Sequence, residues 1–251
     1  MATVKALEGR TVHQIQSGQV IVDLCSVVKE LVENSLDAGA TSIEVRFKNS
    51  GIDSIEVQDD GVGIASANHE TIALKHYTSK LSSYDDLSSL QTFGFRGEAL
   101  SSLCALAKFY ITTAPADEAP KGTRLDFDVS GRLQDTRVVA SQKGTTVAVE
   151  DIFRNLPVRR RELEKNLKRE YGKALGVLQA YACISTQARI SVSNMMAKGK
   201  KIIVFATRSS ATTKENIANV FGAKVLPGLV TMDLSFEMRP TTTSSQLSYP
   251  Q

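Results

Sequence analysis

The stretch L-C-S-V-V-K-E-L-V-E-N-S-L-D-A, residues 24–38, decides the fold of this chain, because it predicts a core-facing helix with polar residues beside the core. At the helical step of about 100° per residue, its apolar side chains share one face: Leu24, Val27, Val28, Leu31 and Ala38. Glu30, Asn34 and Asp37 stack along one edge of that face. A carboxylate at a core boundary is costly unless it is paired or acts on a ligand. A solvated helix face, capped at Gly39, is the alternative that the helix alone leaves open.

Two strands follow this helix and lead to an aspartate. Residues 42–48 alternate apolar and polar side chains as in a half-buried strand, and N-S-G at 49–51 predicts the turn that reverses it. The period of two places Asp59, at the end of the returning strand, on the inward face. Gly61 and Gly63 follow it and allow close approaches that a Cβ would forbid. An Asx turn is a common role for such an aspartate, but its inward position favours a ligand contact.

A glycine-flanked turn opens an apolar helix within residues 92–107, T-F-G-F-R-G-E-A-L-S-S-L-C-A-L-A. Backbone N–H groups at such a helix start form an anion site, although a plain helix N-terminus with Glu98 in its first turn fits the pattern too. The sequence contains no G-x-x-x-x-G-K-[ST], so a phosphate site here is not a P-loop. Residues 66–80 predict a helix, and the polar stretch 82–92 predicts a lid loop.

The remaining elements predict one α/β domain. We expect a short helix with a glycine turn at 12–20, strands at 108–113, 123–129, 132–139 and 144–150, a helix at about 160–182 and a hairpin at 189–206. A linker at 207–213, a helix at 214–221 and a strand at 229–236 complete the predicted elements. We therefore expect an N-terminal arm (1–20), a complete domain (21–207) and the start of a truncated, transducer-like second α/β domain (208–251).

Composition and charge exclude several classes of protein. The chain has 251 residues, 42% of them hydrophobic and 23% charged, and no signal peptide or apolar run near the ~18 residues of a membrane span. Three separated cysteines without C-x-x-C indicate reduced core residues of a cytosolic or nuclear protein. Residues 154–173 hold eight basic and three acidic side chains, although the whole chain carries only +3. This strip indicates a polyanion surface or a solvated helix with i,i+4 ion pairs.

Five motifs, in this order, resemble the GHKL-type ATP-binding fold of DNA gyrase, heat-shock chaperones, sensor histidine kinases and the MutL mismatch-repair proteins: E-L-V-E-N-S-L-D-A-G-A, D-D-G-V-G-I, H-Y-T-S-K, G-F-R-G-E-A-L-S-S-L and G-T-T-V. G-F-R-G-E-A-L and L-P-V-R-R-R resemble MutL in particular, and L-K-H-Y-T-S-K resembles its eukaryotic postmeiotic-segregation branch. The resemblance covers nearly the whole chain and weakens after residue 208. It implies a two-layer α/β (α+β) sandwich.

The resemblance also implies roles for individual residues. Glu30 would be the general base, Asn34 a ligand of the Mg²⁺ that bridges the triphosphate, and Asp59 the acceptor for the adenine amino group. Thr145 would complete that contact, and Gly63 would let the base approach. The other implied nucleotide contacts are Asp37, Ala38, Gly61, Thr78, Ser79, Lys80, Gly94, Phe95, Arg96, Gly97 and Glu98. Position 60 departs from the family, since most MutL proteins have asparagine where this chain has Asp60.

The function implied by the resemblance is Mg²⁺-dependent ATP binding and weak hydrolysis in DNA mismatch repair. ATP would order the lid and the arm, and N-terminal domains would pair around DNA. Implied partners are the DNA backbone, a sister MutL homologue and a MutS homologue, all in the nucleus, with no membrane partner. The implied DNA contacts are Arg159, Arg160, Arg161, Lys165, Lys168 and Arg169.

Two other classes of function stay open from the sequence. An ATP-gated binding module that never turns over would suit a chain in which the family's γ-phosphate lysine finds no match before Gln251, whereas Glu30 argues against it. A chaperone-like or kinase-like ATPase would share the fold. No histidine lies in a recognisable acceptor helix, and a chaperone should show no DNA affinity at low salt.

Overall fold

The structure is a computed structural model, and it describes residues 6–81, 90–197, 199–209, 211–230, 232 and 234–236. Its helices are α1 Gly9–Val20, α2 Leu24–Asp37, α3 Ala99–Leu106, α4 Pro157–Ile184 and α5 Thr213–Phe221. Its strands are β1 Ser42–Lys48, β2 Ser54–Asp59, β3 Lys108–Ala114, β4 Lys121–Phe127, β5 Leu133–Ala140, β6 Gly144–Glu150, β7 Arg189–Met195 and β8 Lys201–Ala206. No helix within these ranges is long and apolar enough to cross a membrane.

The strands form one mixed sheet in the order β5-β4-β3-β6-β2-β1-β7-β8, with helices packed on it as the predicted two-layer sandwich. Only the β1–β7 pair is parallel among these strands, and the other neighbours are antiparallel. The register pairs Asp59 with Ile43 on one side and with Thr145 on the other. The end of β2 is therefore fixed from both sides by the sheet.

Helix α2 begins and ends where its sequence predicts. Ser26 N donates to Asp23 Oδ1 at 2.8 Å and Asp23 N donates to Ser26 Oγ at 3.1 Å, a reciprocal cap at the first turn. Its apolar stripe is buried against the sheet, with Leu24, Val27 and Val28 at 0% exposure. Gly39 takes a φ of 69° just past the helix, the left-handed conformation predicted for a C-terminal cap.

The helix predicted over 66–80 is wrong. Residues 66–68 form one 3₁₀ turn, and the chain from there to Leu81 consists of turns, bends and irregular backbone. His76 has a φ of 66°, outside the helical region, and its N–H donates to Gly97 O at 2.9 Å. The other backbone hydrogen bonds of the segment are mostly those of turns, such as Leu74 N to Thr71 O at 2.9 Å, and the bond to Gly97 places the segment beside the glycine-flanked turn before α3.

Other predictions differ in detail. Helix α1 continues through Gly18 without the predicted turn. Helix α5 packs on α4, and the buried Asn216 of α5 donates through Nδ2 to Ser185 O, just after α4, at 3.4 Å. Most of the predicted lid loop, 82–89, lies outside the described residues. So do parts of the predicted strand 229–236, and none of its described residues is in a strand.

Candidate functional site

A cleft of about 840 Å³ opens between α1, α2 and the two loop segments that meet before α3. From α2 it is lined by Lys29, Glu30, Glu33 and Asn34. From the loop segments it is lined by Thr78, Ser79, Lys80, Gly94, Phe95, Arg96, Gly97 and Glu98, among others. The structure therefore brings the predicted base, the predicted metal ligand and the predicted phosphate-facing residues to one cavity. We call this cavity the phosphate end of the site.

Glu30 lines this cleft, partly buried and surrounded by the charged side chains of Lys29, Glu33, Lys80 and Arg96. Burial raises the pKa of its carboxyl above the ordinary value of 4.5, the positive charge of Lys29 lowers it, and the charge of Glu33 raises it again. Lys29 Nζ lies 3.8 Å from Glu30 Oε1, and the Glu30 side chain keeps 29% exposure. A half-desolvated carboxylate with a raised pKa is suited to proton transfer.

Asn34 and Asp37 share one cation. Lys80 Nζ donates to Asn34 Oδ1 at 2.8 Å and to Asp37 Oδ2 at 2.6 Å. The Asn34 amide oxygen therefore points into the cleft and already accepts from a positive charge. A single amide oxygen beside phosphates suits Mg²⁺, which takes few protein ligands, so the residues fit the ion that the family implies.

Asp37 also holds the glycine-flanked turn. Its Oδ1 accepts from Phe93 N at 2.9 Å and its Oδ2 from Gly94 N at 3.1 Å. A Cβ on Gly97, whose φ is 61°, would lie 2.3 Å from Tyr77 O. Only glycine therefore allows the two loop segments to lie this close. Ala99 and Leu100, which begin α3 and whose N–H groups have no acceptor within the helix, line the cleft.

A second carboxylate, missed by the sequence analysis, lies one turn along α2 from Glu30. Glu33 is 6% exposed, and both its oxygens are occupied: the Tyr181 hydroxyl donates to Oε1, and Lys29 Nζ donates to Oε2 at 2.8 Å. The Tyr181 ring also meets Phe93 edge-to-face at 6.1 Å. Tyr181 thus joins α4 to α2 and to the turn before α3.

Asp59 forms a separate, buried group that we call the base end of the site. It is 7% exposed, its Oδ1 accepts from Gly61 N at 2.9 Å and from Thr145 N at 3.2 Å, and its Oδ2 accepts from Ser35 Oγ at 2.9 Å. Burial raises the pKa of Asp59, and the three hydrogen bonds oppose that rise. Oδ2 keeps a lone pair for one further donor.

Close backbone approaches surround Asp59. A Cβ on Gly61 would lie 2.9 Å from Ala38 Cβ, and one on Gly63, whose φ is 76°, would lie 2.8 Å from Ala114 O. Gly144 has a φ of 119°, and a Cβ there would lie 2.0 Å from Asp59 O. The glycines therefore let three chain segments meet at the base end.

The base end does not line the large cleft. None of Asp59, Gly61, Gly63 and Thr145 is among the residues around the cavity. Helix α2 connects the two ends, since Ser35 contacts Asp59 and its neighbour Asn34 faces the cleft.

Asp60 faces away from both ends. Its Oδ1 accepts from Thr41 N at 2.7 Å and from Ser42 N at 2.8 Å, and its Oδ2 accepts from Thr41 Oγ1. Burial raises the pKa of Asp60, but these donors outweigh it and hold the pKa below 3.8. Asp60 thus binds the backbone at the start of β1.

The predicted DNA contacts divide into two groups on α4. Arg159 donates through Nη1 to Gly18 O at 2.6 Å, and Arg160 donates through Nη1 to Ile52 O at 2.9 Å and Ile152 O at 3.1 Å. Both arginines are therefore engaged within the protein. The other predicted contacts are exposed and share one face of α4: Arg161, Lys165, Lys168 and Arg169.

Ser35 could have been found from the sequence, because a heptad-like spacing from Leu24 and Leu31 places this polar side chain on the apolar stripe of α2. Thr113, whose Oγ1 lies 3.2 Å from Thr145 Oγ1 and accepts from Ile64 N at 2.9 Å, had only strand parity as a signal. Tyr181 had none, since it lies 148 positions from Glu33.

Comparison with known proteins identifies the class. Residues 22–156 match the family model described as histidine kinase-, DNA gyrase B- and HSP90-like ATPase, and the chain belongs to that family. Within it, the chain is a member of the MutL mismatch-repair family, on the branch of the PMS proteins. The predicted GHKL-type fold is confirmed.

Two relatives and two solved structures illustrate the similarity. The chain is 55% identical over 230 residues to DNA mismatch repair protein pms1 of Schizosaccharomyces pombe, covering 92% of this chain and 29% of that protein. It is 48% identical to Mismatch repair endonuclease PMS2 of Homo sapiens, covering 90% and 26%. It therefore spans little more than a quarter of the length of these relatives.

Among solved structures, the N-terminal domain of a DNA repair protein superposes with a TM-score of 0.80 at 46% identity, covering 89% of this chain and 64% of that one. The Aquifex aeolicus MutL ATPase domain complexed with ADP gives a TM-score of 0.57 at 30% identity, covering 78% and 68%.

Proposed function

We propose that this chain binds ATP with Mg²⁺ at the two ends described above and hydrolyses it slowly. The observation that carries the proposal is the buried Asp59 carboxylate, with one oxygen saturated and the other retaining a lone pair, joined through Ser35 to the helix that bears Asn34 and Glu30. An exocyclic amino group donates to such an acceptor, whereas the carbonyl of guanine would oppose it. Adenine carries such an amino group at C6, where guanine has a carbonyl, so of the two purines adenine fits this acceptor through its C6 position.

The phosphate end supports hydrolysis. Glu30, whose pKa is raised by burial, would accept the proton of an attacking water, and a base with a pKa nearer to neutrality does this more effectively. Asn34 Oδ1 would hold Mg²⁺, which supplies positive charge to the triphosphate when bound. Lys80 and the N–H groups at the start of α3 would face the phosphates.

The test is ATP binding and single-turnover hydrolysis, with Mg²⁺, of the native chain, Glu30→Ala and Asp59→Asn. We expect Glu30→Ala to bind ATP but to lose about 10²- to 10⁴-fold in turnover, and Asp59→Asn to lose binding. The exposed Glu162→Ala is the matched control and should behave as the native chain. If the native chain binds ATP without any turnover, it is instead a nucleotide-gated binding module.

We further infer that the exposed basic face of α4 contacts the DNA backbone. Four exposed basic residues recur on one side of the helix over about 12 Å: Arg161, Lys165, Lys168 and Arg169. Arg159 and Arg160 instead donate hydrogen bonds to backbone carbonyls within the protein. Contacts of this kind carry no base sequence information and depend on salt. The mismatch-repair relatives support a DNA partner.

Replacing these four exposed residues with alanine should lower DNA affinity and reduce the salt slope by about four, roughly one for each lost phosphate contact. The charge-matched control replaces four exposed cations elsewhere: Lys121, Arg132, Lys143 and Arg189. Equal slopes for the two quadruple variants would show that only net charge matters. A chaperone-like ATPase would show no DNA affinity at low salt for any of them.

The names of the relatives support a role in DNA mismatch repair. We propose that the chain acts in the nucleus, that ATP orders the lid and the arm, and that the N-terminal domain then pairs with that of a sister MutL homologue, in contact with a MutS homologue. Lys75, beside the cleft, donates to Gln16 of α1, so the arm and the nucleotide cleft are already in contact. Sedimentation of the chain with a sister homologue should show a mass increase with ATP and Mg²⁺ but not with ADP. No change would refute nucleotide-driven pairing.

A further inference from the structure

Arg159 belongs by sequence to the basic strip, yet its guanidinium lies against α1. Its Nη1 donates to Gly18 O at 2.6 Å, and its Cζ lies 5.7 Å from the centre of the Phe153 ring, which is buried. A guanidinium that is hydrogen-bonded on one side and covered by an aromatic ring on the other has its direction fixed.

Gly18 suits the contact with Arg159 through its free carbonyl and its lack of a side chain. It lies in the last turn of α1, where carbonyls have no donor within the helix, and that turn, S-G-Q-V, contains no basic residue. Arg159 supplies the positive charge that a helix C-terminus favours. A Cβ at position 18 would lie 2.8 Å from Arg159 Nη1, so a glycine leaves the room that the guanidinium occupies.

Helix α1 is a wall of the cleft. Gln16, Gln19 and Val20 line it, and Gln16 accepts from Lys75 of the neighbouring loop segment. His13 Nε2 lies 3.0 Å from Ser101 Oγ of α3. The end of α1 that Arg159 holds therefore includes the residues that face the cavity.

We propose that Arg159 is a positioning residue for nucleotide binding, which holds α1 in place as a wall of the cleft through the Gly18 carbonyl. The inference rests on the ATP-binding function proposed above. It also removes Arg159 from the DNA-contacting surface, although its neighbour Arg161 belongs to that surface.

The first test compares ATP affinity and hydrogen exchange of Arg159→Ala with those of Arg132→Ala, an exposed arginine in the turn before β5. We expect Arg159→Ala to weaken ATP binding about fivefold or more and to speed amide exchange within residues 12–20, because the charge-assisted bond to Gly18 is lost. Arg132→Ala should change neither. Unchanged exchange in α1 would overturn the inference, even if ATP affinity falls.

A double-mutant cycle tests the pairing itself. Gly18→Ala should weaken ATP binding in the native background, because its methyl group displaces the guanidinium. In the Arg159→Ala background the same methyl group has room, so Gly18→Ala should add no further loss. Additive losses would show that the two residues act independently and would overturn the inference.

DNA binding distinguishes the two roles of the strip. We expect the salt slope of DNA affinity to be unchanged in Arg159→Ala and to fall by about one in Arg161→Ala. If the salt slope of DNA affinity falls in Arg159→Ala while its ATP affinity is unchanged, Arg159 is a DNA contact, and the inference is overturned. If the native chain binds no ATP, the proposed function fails, while faster exchange of α1 in Arg159→Ala would still establish the contact without its consequence for nucleotide.

Discussion

The base end and the phosphate end of the site are held by different chemical groups. At the base end, backbone N–H groups of Gly61 and Thr145 hold Asp59 in a buried place that the pairing of β2 with its neighbours fixes. At the phosphate end, the ammonium groups of Lys29 and Lys80 hold the carboxylates and the amide along an open cleft. A rigid nucleotide base requires a preorganised slot. Phosphates and Mg²⁺ bind and leave, so their site requires side chains that can exchange one partner for another by rotating.

The largest effect should come from breaking the rigid end. In Gly144→Ala, the new methyl group would lie 2.0 Å from Asp59 O at a φ of 119°. We expect ATP affinity to fall by about 10- to 100-fold, because the strained backbone must move away from Asp59. Gly172→Ala is the control, since a Cβ there meets nothing within 4 Å and alanine favours the helix. Native-like ATP binding by Gly144→Ala would contradict a preformed base end.

A smaller effect should come from the cation at the phosphate end. Lys80→Met removes the ammonium shared by Asn34 and Asp37, and we expect ATP affinity to fall about tenfold while adenosine affinity is unchanged. Competition with a fluorescent ATP analogue measures both, and Lys121→Met is an exposed control. An equal loss for adenosine would mean that the two ends are not separable.

The smallest expected effect is on pH dependence. Glu30 works as a base when deprotonated, so turnover should fall as pH falls through its pKa, which burial raises above 4.5. Lys29 lowers that pKa, and Lys29→Met should therefore move the acid limb of the rate profile to higher pH, by less than about one unit because Glu30 is partly solvated. Single-turnover rates from acid to neutral pH measure the shift. A move to lower pH would contradict Glu30 as the base.

The same contrast explains what the sequence could predict. Period-two parity placed Asp59 inward, and helical spacing placed Glu30, Asn34 and Asp37 together, because local geometry determines both. The prediction of a helix at 66–80 is wrong, since the conformation of this segment depends partly on contacts distant in sequence, such as the backbone bond from His76 N to Gly97 O.

Side-chain contacts between elements far apart in the chain could not be predicted from the sequence either. Arg159 donates to Gly18 O, and the Tyr181 hydroxyl donates to Glu33. Both hydrogen bonds join elements far apart in the chain, so no local sequence pattern predicts them. The charge of the strip was visible in the sequence, but only the packing of α4 decides which of its arginines reach solvent.

The most direct test of the account is a comparison of ATP and GTP affinities for the native chain and Asp59→Asn by calorimetry. The native chain should bind ATP far more tightly than GTP, because a carboxylate accepts from the adenine amino group and opposes the guanine carbonyl. Asp59→Asn, which presents an amide donor where Asp59 accepts, should bind ATP no more tightly than GTP, in keeping with the loss of ATP binding expected for this variant. Equal native affinities, or an unchanged preference in Asp59→Asn, would contradict the assignment of Asp59 as the base-recognising group.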